Sequence, residues 1–328
     1  MEPQDSHDQE SVQQYNYDDV EPISLDDDPT QDIILCKILY SDEYKKSLGI
    51  LRRLMKNKEY SERALYLTEV VIDQVSAHYT VWQYRYHIVK EIGVDLNKEF
   101  EWCEQVAIDN IKNYQIWHYK QLLVDLMLQE KEKYNYTVNM EYPLIEAMIN
   151  DDSKNYHVWS YRRWLVERFE LYNSIIELDF TLQRIKEDVR NNSAWNHRFF
   201  VRFGNALKEN ASNELKQVDQ SIIDEELELL KLSIESSPQN PSSWNYLSGI
   251  LDNFGYDKLN GLKEFVEEYS DLSNKSKLSN YAIELRVELF KRAGHNSDAI
   301  ELYNVLAEER DKIRKNYWLF KKNEITIA

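Results

Sequence analysis

Five of the eight tryptophans in this chain stand in one recurring context. They are Trp82, Trp117, Trp159, Trp195 and Trp244, which follow one another at intervals of 35, 42, 36 and 49 residues. Each lies in a segment of the form Asn-Tyr-x-x-Trp-x-Tyr-Arg or a variant of it. A sixth, Trp318, follows 74 residues after the fifth, which leaves room for one degenerate copy near Tyr281. Such periods indicate stacked helical hairpins, each too small to bury its own apolar face and covered by its neighbours. The chain is therefore predicted to be all-α, with about seven hairpins.

Each hairpin is predicted to consist of an amphipathic first helix and a second helix opened by the tryptophan segment. Apolar residues recur at intervals of three and four residues in the stretches 64–75, 100–111 and 142–149, which precede tryptophan segments. An asparagine stands four residues before Trp in most copies, where its side-chain oxygen suits a helix N-cap. These residues are Asn113, Asn155, Asn191 and Asn240.

The glycine and cysteine content excludes several classes of enzyme. The chain has only 7 Gly and 6 Pro, and neither GxGxxG nor GxxxxGK[ST] occurs, so dinucleotide-binding and P-loop folds are disfavoured. Cys36 and Cys103 have no zinc-ligand spacing and are interpreted as buried thiols of a reducing compartment. No apolar run is long enough to span a membrane, and the N-terminus lacks the features of a signal peptide. We therefore expect a cytoplasmic protein that does not span a membrane.

The net charge of −18 is concentrated at the N-terminus. Residues 1–32 hold eleven Asp and Glu and no Lys or Arg, which predicts a disordered acidic tail. The rest of the chain, 33–328, carries a net charge of −7 and is predicted to form one helical repeat domain. It has no basic stripe suited to a phosphodiester backbone, so nucleic-acid binding is disfavoured.

Residue types that recur at one register of the repeat are best explained by packing. This applies to the tryptophans and to the aromatic residue two places later, which is Tyr84, Tyr119, Tyr161, His197 or Tyr246. A basic residue follows one place further on, and we predict that it forms an ion pair or donates to a carbonyl group between repeats. These basic residues are Arg85, Lys120, Arg162 and Arg198.

The residues just before Trp differ between copies, which indicates a functional role rather than packing. They lie at the first turn of each second helix, where free amides and the helix dipole favour anions. The two central copies supply six donors there, which are Lys112, Tyr114, Gln115, Lys154, Tyr156 and His157. We predict that they form an anion-binding rim; the alternative is that they are ordinary solvated residues of helix starts. No set of metal ligands, HExxH motif or Ser-His-Asp arrangement is visible, so the sequence does not show a complete active site.

Several of these segments, in order, resemble a known family. They are SERALYLTEVVID (61–73), AHYTVWQYRYHIV (77–89), KNYQIWHYKQLLV (112–124), SKNYHVWSYRRWLV (153–166) and EDVRNNSAWNHRFFV (187–201). They resemble the α subunit shared by protein farnesyltransferase and type I protein geranylgeranyltransferase. The resemblance runs in register from about Tyr44 to Trp244 and more loosely through 313–318.

The resemblance implies a crescent-shaped, right-handed α-α superhelix of about seven hairpins around an obligate β subunit. That subunit would hold the catalytic zinc and most of the isoprenoid pocket, and magnesium is left open for the farnesyl form. The implied reaction transfers a prenyl group from isoprenyl diphosphate to the cysteine of a C-terminal CaaX motif. Proteins that end in CaaX, such as small GTPases, would be the substrates.

The resemblance also assigns roles to residues of this sequence. Diphosphate-side catalytic roles fall on Lys112, Tyr156 and His157, with Tyr114 and the cap residue Asn155 among the substrate-binding residues. Gln115 matches a glutamine that contacts the terminal carboxylate of the peptide, and Tyr79 and Ala77 match residues beside the pocket for the last CaaX residue. One departure is His78, which stands where other copies have the Asn cap.

Two other interpretations share parts of this pattern. A tetratricopeptide-like scaffold has a similar period, but its pattern needs small residues at fixed helix contacts, and the Trp-Tyr-Arg units lack them. The α subunit of Rab geranylgeranyltransferase shares the architecture, although the KNYQIW and SERAL segments fit the CaaX enzymes better.

Overall fold

The computed structural model describes residues 15–25, 38–209, 217–258 and 261–327. The chain divides into two compact units, Met1–Val158 and Trp159–Ala328. No strand occurs in the described ranges, and no helix within them is long and apolar enough to cross a membrane.

The first unit contains a single helix followed by hairpins. Its helices are α1 (Asp42–Asn57), α2 (Glu62–Gln74), α3 (Tyr79–Ile92), α4 (Leu96–Asp109), α5 (Tyr114–Gln129), the short α6 (Lys131–Tyr134), a 3-10 turn (Val138–Glu141), α7 (Tyr142–Asp151) and the start of α8 (Tyr156–Arg168). The pairs α2/α3, α4/α5 and α7/α8 correspond to the first three copies of the repeat.

The second unit continues the same pattern. It contains the rest of α8, then α9 (Ile175–Glu187), α10 (Asn192–Glu209), α11 (Gln220–Ser236), α12 (Pro241–Phe254), α13 (Leu262–Ser270), α14 (Asn280–Arg292), α15 (Asn296–Val305) and α16 (Lys315–Ile327). The pair α13/α14 is the degenerate copy predicted near Tyr281. With it, the described residues form seven hairpins, so the prediction of an all-α chain of about seven hairpins is confirmed.

The tryptophan register is structural, as predicted. The six tryptophans of the repeat are buried in the described structure. Three of these indoles donate N–H to the carbonyl six residues earlier: Trp82 to Ser76 at 2.7 Å, Trp195 to Val189 at 2.9 Å and Trp244 to Pro238 at 2.8 Å. The Trp318 indole instead donates to the Asp311 carboxylate at 3.1 Å. These four indoles therefore fill the hairpin interior and also hold the turn that leads into their own helix.

The basic residue three places after Trp pairs with a glutamate on the first helix of the next repeat. Arg198 on α10 binds Glu226 on α11 through both Nε and Nη2, each at 2.7 Å. The same glutamate accepts a hydrogen bond from Tyr246, the aromatic residue two places after Trp in the following helix, at 2.8 Å. The Trp-x-Tyr-Arg motif thus links each repeat to the next, which confirms the predicted inter-repeat ion pair.

Two further copies of this link and one variant are present. Arg85 pairs with Glu99, which also accepts from Tyr119. In the variant, Lys120 pairs with Glu141 in the 3-10 turn before α7 and with Glu104 on α4 of its own hairpin, and Glu141 accepts from Tyr136. Arg162 pairs with Glu177, which contacts His197. All four glutamates facing the second helices, Glu99, Glu141, Glu177 and Glu226, are at most 3% exposed, so each pair is buried and depends on its partner for compensation.

Part of the predicted acidic tail differs from the expectation of disorder. Within 15–25, the Tyr17 hydroxyl donates to the Arg63 carbonyl at 2.8 Å, and Asp19 binds the Arg63 guanidinium at 2.7 and 3.0 Å. The Ile23 amide donates to the carbonyl of Gly49 on α1, where an added Cβ would lie 2.9 Å from the Ile23 oxygen. Local aromatic and apolar side chains let this stretch pack, although the average composition of 1–32 predicts disorder. The other tail residues, 1–14 and 26–32, lie outside the described residues.

The structure tests the prediction of buried thiols at one of the two cysteines. Cys103 is a free thiol, fully buried, and burial raises its pKa to about 12. This agrees with the prediction that Cys103 is a buried thiol, and the raised pKa makes it unreactive at neutral pH. Cys36 lies outside the described residues.

Candidate functional site

Three successive helix starts carry the predicted site residues, and all belong to the first unit. They are the starts of α3 at Tyr79, α5 at Tyr114 and α8 at Tyr156. The turn before each helix start places the residues that stand three to five positions before Trp at the N-terminal end of that helix, as the repeat register predicts. The helix starts of α5 and α8 are N-capped by Asn113 and Asn155.

The starts of α3 and α5 are joined by the side chain of Asn113. Its Oδ1 accepts from the Gln115 amide at 2.9 Å, which caps α5. Its Nδ2 donates to the Ser76 carbonyl at 2.6 Å, in the turn that leads into α3. The segment carrying Ala77 and Tyr79 is thereby brought beside Gln115.

The starts of α5 and α8 are joined in the same way by Asn155. Its Oδ1 accepts from the His157 amide at 3.0 Å, and its Nδ2 donates to the Ile111 carbonyl at 3.0 Å. A second link lies beside it, since the Lys112 ammonium is 3.6 Å from the Asp152 carboxylate. Lys112 is therefore held next to the helix start that carries His157.

The side chains of this rim fall into an exposed and a buried group. Tyr79, Tyr114 and Tyr156 are 67%, 60% and 76% exposed. The Lys112 side chain is 80% exposed, Ala77 is also exposed, and His157 is half-buried with its ring edge-on to Tyr156 at 5.7 Å. Cations and hydroxyl donors are therefore available at the surface of the rim, where a ligand or partner chain can reach them.

Gln115 and Asn155 are the two buried members. Gln115 is 8% exposed and Asn155 is 3% exposed. Both polar groups of the Asn155 side chain bond within this chain, as described above. Asn155 is thus placed among the other predicted residues, but its amide is occupied by the link between helix starts.

Gln115 lines a cleft of about 380 Å³ between α3 and α5. The other lining residues are Tyr79, Trp82, Gln83, Tyr86, His87, His118, Tyr119 and Leu122. Aromatic walls with a neutral amide at the edge suit a ligand that has an apolar body and one polar end. The cleft joins two residues that the sequence assigned together, Tyr79 and Gln115.

The start of α3 lacks the side-chain cap of the other two. His78 occupies the N-cap position and makes no cap hydrogen bond with its side chain. Burial lowers its pKa below the ordinary value of 6.5, so the imidazole is neutral at physiological pH. This start depends on the link from Asn113 for its position beside α5.

Two functional features escaped the sequence analysis. Asp152 was not considered, although an Asp seven before Trp recurs as Asp188, and each accepts the amide two residues later, at 3.2 and 2.9 Å. That recurrence marks a turn residue, and only the fold shows that Asp152 also faces Lys112. The donor role of the cap asparagines was likewise missed, because capping alone explains an Asn at that register.

No group of three or more His, Cys, Asp or Glu side chains in the described parts of the chain could hold a metal ion. The rim residues supply charge and hydrogen-bond donors: an ammonium, phenol hydroxyls, an imidazole and a carboxamide.

The repeat matches a known family model and known proteins. The model for the protein prenyltransferase alpha subunit repeat matches residues 96–127, 138–169, 176–203 and 223–254. These ranges coincide with the hairpins α4/α5, α7/α8, α9/α10 and α11/α12.

Two relatives match almost the whole length of the chain. The protein farnesyltransferase/geranylgeranyltransferase type-1 subunit alpha of Candida albicans is 39% identical over 95% of this chain and 98% of its own length. The corresponding subunit of Schizosaccharomyces pombe is 36% identical over 97% of each chain. A solved structure, Candida albicans protein geranylgeranyltransferase-I complexed with GGPP, superposes with a TM-score of 0.83 at 38% identity, covering 95% of this chain and 99% of that chain. The chain belongs to the family of α subunits of protein farnesyltransferase and geranylgeranyltransferase type I.

Proposed function

We propose that this chain is the α subunit of a heterodimeric CaaX protein prenyltransferase that works in the cytoplasm. The enzyme transfers a farnesyl or geranylgeranyl group from isoprenyl diphosphate to the cysteine of a C-terminal CaaX motif. The observation that carries the proposal is the adjacency of Lys112 to the start of α8, where Tyr156 and His157 lie. Relatives named as this subunit, matched along almost their whole length, support it.

The diphosphate end of the donor is assigned to the helix starts of α5 and α8. When the bond between C1 and the diphosphate oxygen breaks, the leaving diphosphate takes the electron pair and gains negative charge. Lys112, Tyr156 and His157 offer an ammonium, a phenol and an imidazole to that charge. Tyr114, which lies at the start of α5 as Lys112 does, is a further donor. Such groups accelerate the reaction when they bind the departing diphosphate more strongly than the ground state.

The peptide end is assigned to the helix starts of α3 and α5. The Gln115 carboxamide can donate to the terminal carboxylate of a CaaX peptide without adding a charge that competes for diphosphate. Tyr79 and Ala77 lie across the Asn113 link, beside the pocket for the last residue. Asn155 belongs to the proposed substrate-binding set at the other end of the rim, where its side chain joins the helix starts of α5 and α8.

The β subunit is an obligate partner in this proposal. It would hold the zinc that keeps the substrate cysteine as a thiolate, and the residues of this chain then act on the donor and on the peptide terminus. Magnesium would serve the farnesyl form. Substrates are proteins that end in CaaX, such as small GTPases.

Prenyl transfer by the reconstituted heterodimer tests the proposal. The chain is co-expressed with a farnesyl or geranylgeranyl type I β subunit and assayed with a CaaX peptide. Modification of the peptide without an escort protein is the expected result. A requirement for an escort would point to the Rab enzyme instead, and failure to copurify with a zinc-containing partner would point to a tetratricopeptide-like scaffold.

A further inference from the structure

In both units of the chain, the side-chain amide of a cap asparagine accepts a hydrogen bond through its oxygen and donates one through its nitrogen. In the first unit, the Ser76 carbonyl accepts from Trp82 of its own repeat at 2.7 Å and from Asn113 of the next repeat at 2.6 Å. In the second unit, the Val189 carbonyl accepts from Trp195 at 2.9 Å and from Asn240 at 2.6 Å. One turn carbonyl thus fixes its own helix start and the next one.

Only an amide side chain fits both halves of this role. The oxygen caps the helix, and Asp or Ser can replace it there. The Nδ2 group donates to the carbonyl of the preceding turn. An Asp carboxylate has no proton to donate there, and Ser carries its donor and its acceptor on a single oxygen of a shorter side chain. The links from Asn155 and Asn240 are also sheltered, since these residues are 3% and 0% exposed, so water does not readily substitute for the lost bond there. Asn113 is half-buried.

We propose that Asn113 and Asn155 are positioning residues for prenyl transfer. Asn113 sets the distance between the segment of Tyr79 and Gln115, which form the proposed peptide end. Asn155 sets the distance between the segment of Lys112 and His157, which form the proposed diphosphate end. This inference rests on the proposed function, and it assigns the two asparagines to separate halves of the reaction through the residues that they hold.

The link is removed by two substitutions at each position. Asn→Asp keeps the helix cap and places a carboxylate oxygen against the turn carbonyl. Asn→Ser keeps a neutral cap and lacks the reach of the amide, so agreement between the two variants excludes an effect of the added charge. Asn240→Asp and Asn240→Ser are the controls, because Asn240 makes the same two bonds outside the rim, together with a third from its Nδ2 to the Ser243 hydroxyl at 3.0 Å.

Kinetics of the reconstituted heterodimer separate a positioning role from a merely structural one. Asn113 variants are expected to raise KM for the CaaX peptide about fivefold with kcat nearly unchanged, which is the effect of losing about one hydrogen bond. Asn155 variants are expected to lower the single-turnover rate by a similar factor while peptide KM stays within about twofold. Asn240 variants are expected to lower thermal stability without changing either constant.

Hydrogen exchange reports the link independently of activity. Amides of residues 77–81 are expected to exchange faster in the Asn113 variants, and those of 111–115 in the Asn155 variants. If the Asn113 and Asn155 variants exchange faster but have kinetic constants like those of the Asn240 controls, the positioning role is overturned. Unchanged exchange in these variants would also overturn it. The proposed function fails in a different way: Lys112→Ala and Gln115→Ala would then leave the kinetics unchanged.

Discussion

The Lys112 ammonium lies 3.6 Å from the Asp152 carboxylate, so the turn before α8 holds a side chain from the start of α5. The Asp152 carboxylate also accepts the Lys154 amide at 3.2 Å, which anchors it in that turn. Lys112 is thus directed toward the start of α8 before a substrate arrives. The same carboxylate adds a negative charge beside the proposed diphosphate site.

Asp152→Asn is expected to tighten binding of the isoprenyl diphosphate about twofold to fivefold, because exposed ion pairs are weak and screened. Asparagine keeps an oxygen for the Lys154 amide and removes the charge that repels diphosphate. The measurement is the donor Kd by fluorescence titration at low and high salt. Weaker donor binding in the variant would show that orienting Lys112 matters more than the repulsion.

Lys112→Ala is expected to lower kcat about a hundredfold, since a positioned donor to developing charge contributes on that scale. Peptide KM should change little, because the role proposed for the lysine is to bind the departing diphosphate. Single-turnover prenyl transfer measures the chemical step directly. Arg190→Ala is the control, since Arg190 stands at the same register of another repeat and should retain most of the activity; an unchanged rate in Lys112→Ala would remove the lysine from the mechanism.

Gln115→Glu is expected to raise peptide KM about tenfold or more, because a carboxylate would then face the terminal carboxylate of the peptide. Gln115→Ala should give a smaller increase, from the lost hydrogen bond alone. Both are assayed with a CaaX peptide and with its carboxyl-amidated form. The difference between the two peptides should shrink in Gln115→Ala, and a difference as large as in the unmodified enzyme would contradict the contact.

Glu226→Gln is expected to lower the thermal midpoint of the heterodimer by roughly 5 °C or more, because it leaves the buried Arg198 without its counter-charge. Glu226 also binds Arg202 at 2.6 Å and Tyr246 at 2.8 Å. Glu225→Gln is the matched control: Glu225 binds the same Arg202 at 2.6 Å, but its side chain is 63% exposed. Equal shifts for the two variants, compared at one protein concentration, would refute the role of burial.

His197→Tyr is expected to reduce the loss of stability of the second unit as pH falls below about 6.5. Burial lowers the pKa of His197 despite its contact with Glu177 at 3.0 Å. An unfolded chain therefore binds a proton that the folded chain does not, and folding becomes less favourable as pH falls from 6.5 through the folded-state pKa. Tyrosine occupies this register elsewhere and does not titrate in that range.

Thermal midpoints at pH 8 and pH 5.5 test this prediction. At pH 8 both chains carry a neutral residue at 197, so the pH-dependent difference should be absent. The variant should lose less stability than the natural chain on going to pH 5.5. Parallel losses in the two proteins would assign the pH effect to other groups.

Much of the fold follows from the repeat. The tryptophan intervals predict the hairpins, including the degenerate pair α13/α14, because a buried aromatic residue at a fixed register requires the same packing in each copy. The basic residue three places after Trp predicts an ion pair, but not its partner. Glu99, Glu177 and Glu226 follow the arginines that they pair with by 14, 15 and 28 residues, a variable separation that no periodic pattern reveals.

The sequence by itself determined the repeat, the helix caps and the segments that carry Lys112, Gln115 and His157, because these depend on residue type and local spacing. The tertiary structure decided which helix starts are joined and by which atoms. The link from Asn155 to Ile111 spans 44 residues, and the pairing of Lys112 with Asp152 depends on how two hairpins stack. Such contacts arise from packing between repeats, so they become visible only when the hairpins are placed side by side.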